Sequence, residues 1–140
     1  PIASIYAQSL PNQGRYLDDN LAINTTLADG SIGNILYVAN GDRSQGKEYL
    51  EVFCEGKSAV LDDYQSLVTY RGRKIVSRQG ARDKGHRGEM LAWVDAIQQA
   101  QPEPVSFEHA VVATQATFSA LCSLTTRQVV SINLPFAQKG

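Results

Sequence analysis

Very little in this chain of 140 residues carries obvious chemistry. It holds two cysteines, two histidines, one tryptophan and one methionine. Cys54, His86, His109 and Cys122 match no zinc-site spacing, so no clustered metal centre is expected. No G-x-G-x-x-G or Walker loop occurs. Gly30, Gly33, Gly41 and Gly46 read as turn residues between strands and do not open a helix. No elbow motif supports Ser–His–Asp catalysis. No apolar run is long enough to span a bilayer, and no secretory leader is visible, so no membrane partner is expected. Both cysteines lie in apolar contexts and read as buried free thiols, which favours a reducing compartment, hence the cytoplasm.

What is present is ordinary in amount and uneven in place. Hydrophobic residues make up 43% and charged residues 19%, enough for one domain over residues 1–140 with a real core. The formal net charge is −1. Residues 71–87, RGRKIVSRQGARDKGHR, hold seven of the thirteen Lys and Arg residues and one acid, Asp83. The remainder is acidic, so nucleic acid is not an expected partner, while a local positive site is.

The pattern along the chain is a succession of hairpins followed by two helices. Residues 2–9 alternate as a strand, and Pro11-Asn12-Gln13-Gly14 is a turn by composition. Asp29-Gly30 between strand-like runs signals a two-residue type I′ turn. That register places Leu27 opposite Ile32, Ile23 opposite Leu36 and Leu21 opposite Val38, all six on the core side. Ala22, Asn24 and Thr26 with Gly33, Ile35 and Tyr37 then form a mixed outer side, suited to a contact surface. A second hairpin turns at Glu55-Gly56 between Tyr49–Cys54 and Lys57–Asp62. A third turns at Arg71-Gly72, with Val68 opposite Ile75.

Met90, Trp93, Val94 and Ile97 form the apolar stripe of a helix from about His86 to Ala100. Pro102 and Pro104 stop it. Ser106 is placed to cap a second helix, with Phe107, Val111, Thr114, Phe118 and Leu121 as its stripe and Ala113, Ala116 and Ala120 allowing close approach. Val129–Ile132 reads as a closing strand. The expected fold is α+β: an antiparallel or mixed sheet of successive hairpins, two helices on one face, the other face open for oligomerisation.

Asp18-Asp19 and Asp62-Asp63 read as turn and strand-end acids rather than catalytic pairs. One polar constellation stands out: Lys84, His86 and Arg87, where a glycine-bearing loop feeds a helix N-terminus. Unpaired backbone N–H groups and the helix dipole there favour anions or polar oxygens, and the three side chains add donors for hydroxyl, carboxylate or phosphate groups.

LADGSIGNILYVAN, KEYLEVFCEGKSAVLDD and GHRGEMLAWVDAIQQAQPEPVSFEHAVVATQATFSALCSL follow one another in an order that resembles the C-terminal domain of the Gfo/Idh/MocA family of NAD(P)-dependent oxidoreductases. The resemblance covers about residues 18–132. DKGHRGEM and the NGD…KE loop look most like a subgroup fused behind a zinc-type alcohol dehydrogenase-like unit. The resemblance implies a Rossmann domain before this chain, holding NAD or NADP, and a sugar or cyclic polyol as substrate. It implies that the open sheet face makes a homo-oligomer and that the loop carrying Lys84, His86 and Arg87 lines the substrate site. The family's Glu-Lys-Pro lysine and acid–histidine pair have no counterpart here, so no catalytic residue is carried over, and this chain alone is expected to bind no cofactor. The start at Pro1, directly before a strand, fits an excised domain. The competing reading is a free-standing, non-catalytic α+β interaction or ligand-binding module.

Overall fold

A computed structural model describes residues 1–11 and 19–132. Its elements are β1 (Ile2–Ser9), β2 (Asn20–Leu27), β3 (Ile32–Val38), β4 (Tyr49–Cys54), β5 (Lys57–Asp62), β6 (Ser66–Arg71), β7 (Lys74–Gln79), α1 (His86–Gln98), α2 (Phe107–Thr126) and β8 (Val130–Ser131). The fold is α+β with two four-stranded antiparallel sheets, ordered β3-β2-β1-β8 and β4-β5-β6-β7. Two compact units contain them: residues 1–41 with 105–140, and residues 42–104. The expected turn at residues 11–14 and the acid Asp18 lie mostly outside the described residues.

In the first unit α2 packs on β1 and β8. Ile5, Ala7, Ala116, Ala120 and Ile132 form the core, with Ile2, Ile23 and Leu124 against it. The packed side of α2 is its small-residue row, not the aromatic stripe expected from spacing. Ala116, Ser119, Ala120 and Ser123 are buried, whereas Phe107, Phe118 and Leu121 are exposed. Small side chains let the helix backbone sit close to the strand, and that closeness excludes the larger row. Ser106 caps α2 as expected, its Oγ accepting from the His109 N–H at 3.2 Å.

Ser123 has no solvent exposure. Its Oγ accepts from the Ala7 N–H at 3.0 Å and donates to the Gln128 carbonyl at 2.6 Å. The two-residue β8 pairs only with Ser4 and Ile5, so the serine hydroxyl continues the edge of β1 where the strand stops. Asn20 plays a similar part at the other edge: its Oδ1 accepts from the Ala39 and Asn40 N–H groups and fixes the end of β3.

The first hairpin differs from expectation by one residue. Ile32 pairs with Thr26, Ile35 with Ile23 and Tyr37 with Leu21. The loop has three residues, with the Leu27 N–H donating to Ser31 O at 2.8 Å and the Gly30 N–H to Leu27 O at 3.0 Å. Only Gly30 needs a positive φ (86°), the arrangement of a type I turn closed by a glycine bulge. Asp29 stays out of that region because its carboxylate accepts the Ser31 N–H at 3.0 Å. The same bond holds the Asp29 carboxyl below its usual range. A one-residue slip turns β3 over. Ile32, Leu36 and Val38 therefore point to the open face, and Gly33, Ile35 and Tyr37 to the face that carries Ile23. All five large side chains on β3 are exposed, because α2 lies over β1 and β8 at the far side of the sheet.

The second unit has type I′ geometry at every hairpin turn. Glu55 and Gly56, Asp63 and Tyr64, and Gly72 and Arg73 all have positive φ. The Glu55-Gly56 hairpin matches its expected register, with Cys54 opposite Lys57. The last turn uses Gly72-Arg73 rather than Arg71-Gly72, which pairs Val68 with Ser77 and Tyr70 with Ile75. A two-residue slip keeps every side chain on its expected face.

Met90, Val94 and Ile97 are exposed on α1, and Trp93 is half-buried. Both cysteines are exposed, contrary to expectation. Cys54 ends β4 beside a turn, and Cys122 lies on α2 outside its packed row. No described helix is long and apolar enough to cross a membrane.

Candidate functional site

One end of the second sheet gathers the polar residues. There the β5–β6 turn meets the loop before β4 and the loop between β7 and α1. The Asp63 N–H donates to Glu48 O at 2.6 Å, the Gly80 N–H to Gln65 O at 2.9 Å and the Asp83 N–H to Tyr64 O at 3.4 Å. Three segments are thus laced together by backbone bonds.

Asp63 organises this end. It is buried at 8% exposure, and its Oδ2 pairs with the Arg82 guanidinium. Gln65 Nε2 donates to the same oxygen at 3.3 Å. Asp63 Oδ1 is buried without a hydrogen-bond partner. Gly46 lies against this carboxylate, and a Cβ there would stand 3.2 Å from Asp63 Cβ. Asp63 and Tyr64 both hold left-handed conformations without being glycine, a strained pair that the surrounding bonds maintain.

Beside this knot lies an open hollow of about 380 Å³, lined by Gly46, Asp62, Asp63, Gln65, Ser66, Gln79 and Gly80. Its lining offers carboxylate and carboxamide oxygens, amide donors and a hydroxyl. Such a set suits hydrogen bonding to hydroxyl groups and holds no nucleophile–base pair.

Of the three residues singled out from sequence, Lys84 is drawn toward the knot. Its Nζ lies 3.2 Å from Glu48 Oε1 and 5.8 Å from the centre of the Tyr64 ring. His86 and Arg87 are exposed in the first turn of α1. None of the three lines the hollow. The helix start is built by Asp83, whose Oδ1 accepts the Gly85 N–H at 2.8 Å, and by Gly85 itself at φ 79°. Asp63 and Arg82 were not legible as partners from sequence, because the pairing depends on which turn Asp62–Gln65 adopts. The available signal was Asp-Asp followed by a polar residue between two strands.

Among the described residues no group of three or more His, Cys, Asp or Glu side chains could hold a metal. Helix α1 follows β7 through a loop that carries Gly80 and Gly85 and is tied to the β5–β6 turn, and α2 starts at a serine cap; neither start spells G-x-G-x-x-G.

No family model matches the chain, and no curated protein matches it. Solved structures do. The aldose-aldose oxidoreductase of Caulobacter crescentus, complexed with glycerol, superposes with a TM-score of 0.77 at 10% identity. That match covers 94% of this chain and 41% of the other. An oxidoreductase of Agrobacterium radiobacter, in complex with NAD+, L-tartaric acid and magnesium, gives 0.77 at 10% identity, over 93% and 43%. The UDP-N-acetylglucosamine 3-dehydrogenase of Acidithiobacillus ferrooxidans gives 0.73 at 14% identity, over 89% and 41%. This chain has the fold of one part of larger oxidoreductases. It spans about two-fifths of the length of each of these three.

Proposed function

We propose that this chain is the C-terminal, substrate-side and oligomerisation domain of a Gfo/Idh/MocA-type dehydrogenase that oxidises a CH–OH group of a sugar or cyclic polyol with NAD or NADP. The observation that carries the reading is a fold shared along nearly the whole chain with about two-fifths of each matched oxidoreductase. The missing partner is a Rossmann domain, which would hold the nicotinamide that accepts the hydride. The polar end of the second sheet supplies hydrogen-bonding groups, and Lys84, His86 and Arg87 are its proposed substrate contacts. DKGHRGEM and the NGD…KE loop support the finer placement beside a zinc-type alcohol dehydrogenase-like unit.

The coding sequence upstream of Pro1 provides the first test. A strand, a G-x-G-x-x-G turn and a helix are expected there, and the whole gene product should reduce NAD+ or NADP+ with an aldose or inositol. A start codon beside Pro1 would favour the free-standing binding module instead. The 140-residue chain itself should give a flat calorimetric titration with NAD(H) and NADP(H), since it lacks a phosphate cradle. Micromolar binding would contradict this. In the whole enzyme, Arg87→Ala should raise KM by about ten- to a hundredfold, the loss of one charge-assisted hydrogen bond, with little change in melting temperature. An unchanged KM removes Arg87 from the site.

A further inference from the structure

The second sheet carries a charge arrangement that its own packing does not explain. Lys57 pairs directly with Arg71 across β5 and β6, and Arg71 with Lys74 across β6 and β7. Directly opposed residues share a face, so three cations stand side by side on neighbouring strands. At the usual strand spacing they fall within about 10 Å. Arg78 lies on the same face of β7, opposite Leu67. Like charges in direct cross-strand register destabilise a sheet. Among the described residues only Glu55 forms an ion pair with the row, 3.9 Å from Lys57 Nζ in an exposed pair that contributes little. Arg71, Lys74 and Arg78 make no ion pair with any described residue. The rest of this face is mostly aliphatic, with Leu50, Val52, Ala59, Leu61, Leu67 and Val76 beside Cys54 and Thr69, and its strands bear no acid there.

The chemistry of the occupant follows from what the face offers. It is the face of a four-stranded sheet rather than a cleft, so it does not enclose a small anion. The aromatic side chains Tyr49, Phe53 and Tyr70 are on the opposite face, so the cations have no stacking platform for bases beside them. A second copy presenting the same face would set four cations against four with only the Glu55 carboxylate of each copy, at the tip of the row, to offset them. Glu55, at the tip of the row with a side chain 82% exposed, opposes an anionic lipid surface. An acidic protein segment with aliphatic side chains satisfies both the charges and the apolar area.

We propose that the Lys57–Arg71–Lys74 face of the second sheet docks an acidic, partly aliphatic segment of another protein. The inference is independent of any dehydrogenase activity. The probe is a fluorescein-labelled peptide of alternating glutamate and leucine, followed by anisotropy with the 140-residue chain. Saturable binding is expected in about 50 mM salt, weakening about tenfold in about 300 mM. Arg71→Gln with Lys74→Gln should weaken it about tenfold, while Arg43→Gln with Lys47→Gln, in the loop before β4, should not. Circular dichroism establishes that each variant is folded. As a second reading of the same row, Lys74→Glu should raise the melting temperature by relieving the repulsion. The proposal is overturned by no saturable binding or by equal loss in both double variants. Equal binding of a lysine–leucine peptide overturns it too, as does preference for a single-stranded oligonucleotide or phosphatidylserine vesicles. A fall in melting temperature with Lys74→Glu removes its premise.

Discussion

Ser123→Ala should destabilise the first unit by about 1–3 kcal/mol, the cost of leaving the buried Ala7 N–H unpaired. The hydroxyl sits between the Ala7 N–H and the Gln128 carbonyl, with no solvent exposure to offer a replacement partner. It also joins three things the core depends on: the middle of β1, the last turn of α2 and the chain entering β8. The Arg127 N–H bonds Ser123 O at 2.7 Å, and Arg127 takes the left-handed conformation that ends the helix. Loss of the side chain should therefore loosen β8 first, visible as faster hydrogen exchange at Ile132, whose N–H bonds Ala3 O. Thr126→Ala is the control. Its hydroxyl only back-bonds to Cys122 O on the exposed side of α2, and its removal should be nearly neutral. If Ser123→Ala melts within a degree or so of the parent, water or a neighbouring donor replaces the serine, and its bridging role is wrong.

The hairpin succession, both helices and the serine cap of α2 were legible in the sequence because each depends on local signals. Glycine fixes where a turn falls, alternation marks a strand and proline ends a helix. Register was less legible, and the three hairpins show why. Glu55-Gly56 and Gly72-Arg73 close two-residue turns, and the error at the latter was an even slip that left the faces intact. Asp29-Gly30 reads like the same turn, yet Asp29 keeps a negative φ and spends its carboxylate on the Ser31 N–H. That adds one residue to the loop and inverts β3. The packed side of α2 was legible in part: Ala116 and Ala120, read as allowing close approach, are buried in the core, whereas Phe107, Phe118 and Leu121 of the expected stripe are exposed. Spacing finds the largest apolar residues, whereas close packing selected the smallest. At the polar end, Lys84 was visible as a cation at a loop, but its engagement with Glu48 and Tyr64 depends on segments 36 and 20 residues away.

The inverted strand changes which residue tests self-association. The open face of the first sheet carries Ile32, Leu36 and Val38, with Ile32 at 78% and Leu36 at 75% exposure. Asn24 and Thr26 of β2 flank them, so the apolar area is concentrated on β3, at the edge of the sheet. An edge strand that is apolar on both faces is a poor surface to leave in water. We propose that a second copy covers it, in a two-fold arrangement that sets β3 against its equivalent. Leu36→Glu should then shift the particle from dimer to monomer in light scattering. A two-fold contact meets the substitution twice and would desolvate both carboxylates, so the dissociation constant should rise at least about a hundredfold. Folding should be unaffected, because the side chain is exposed in the single chain. Tyr37→Glu, on the other face of the same strand, should act less, and that contrast separates the two faces. A wild-type chain that stays monomeric at high concentration would remove the contact. Equal dissociation by Leu36→Glu and Tyr37→Glu would mean that the partner grips the edge of β3 rather than its open face.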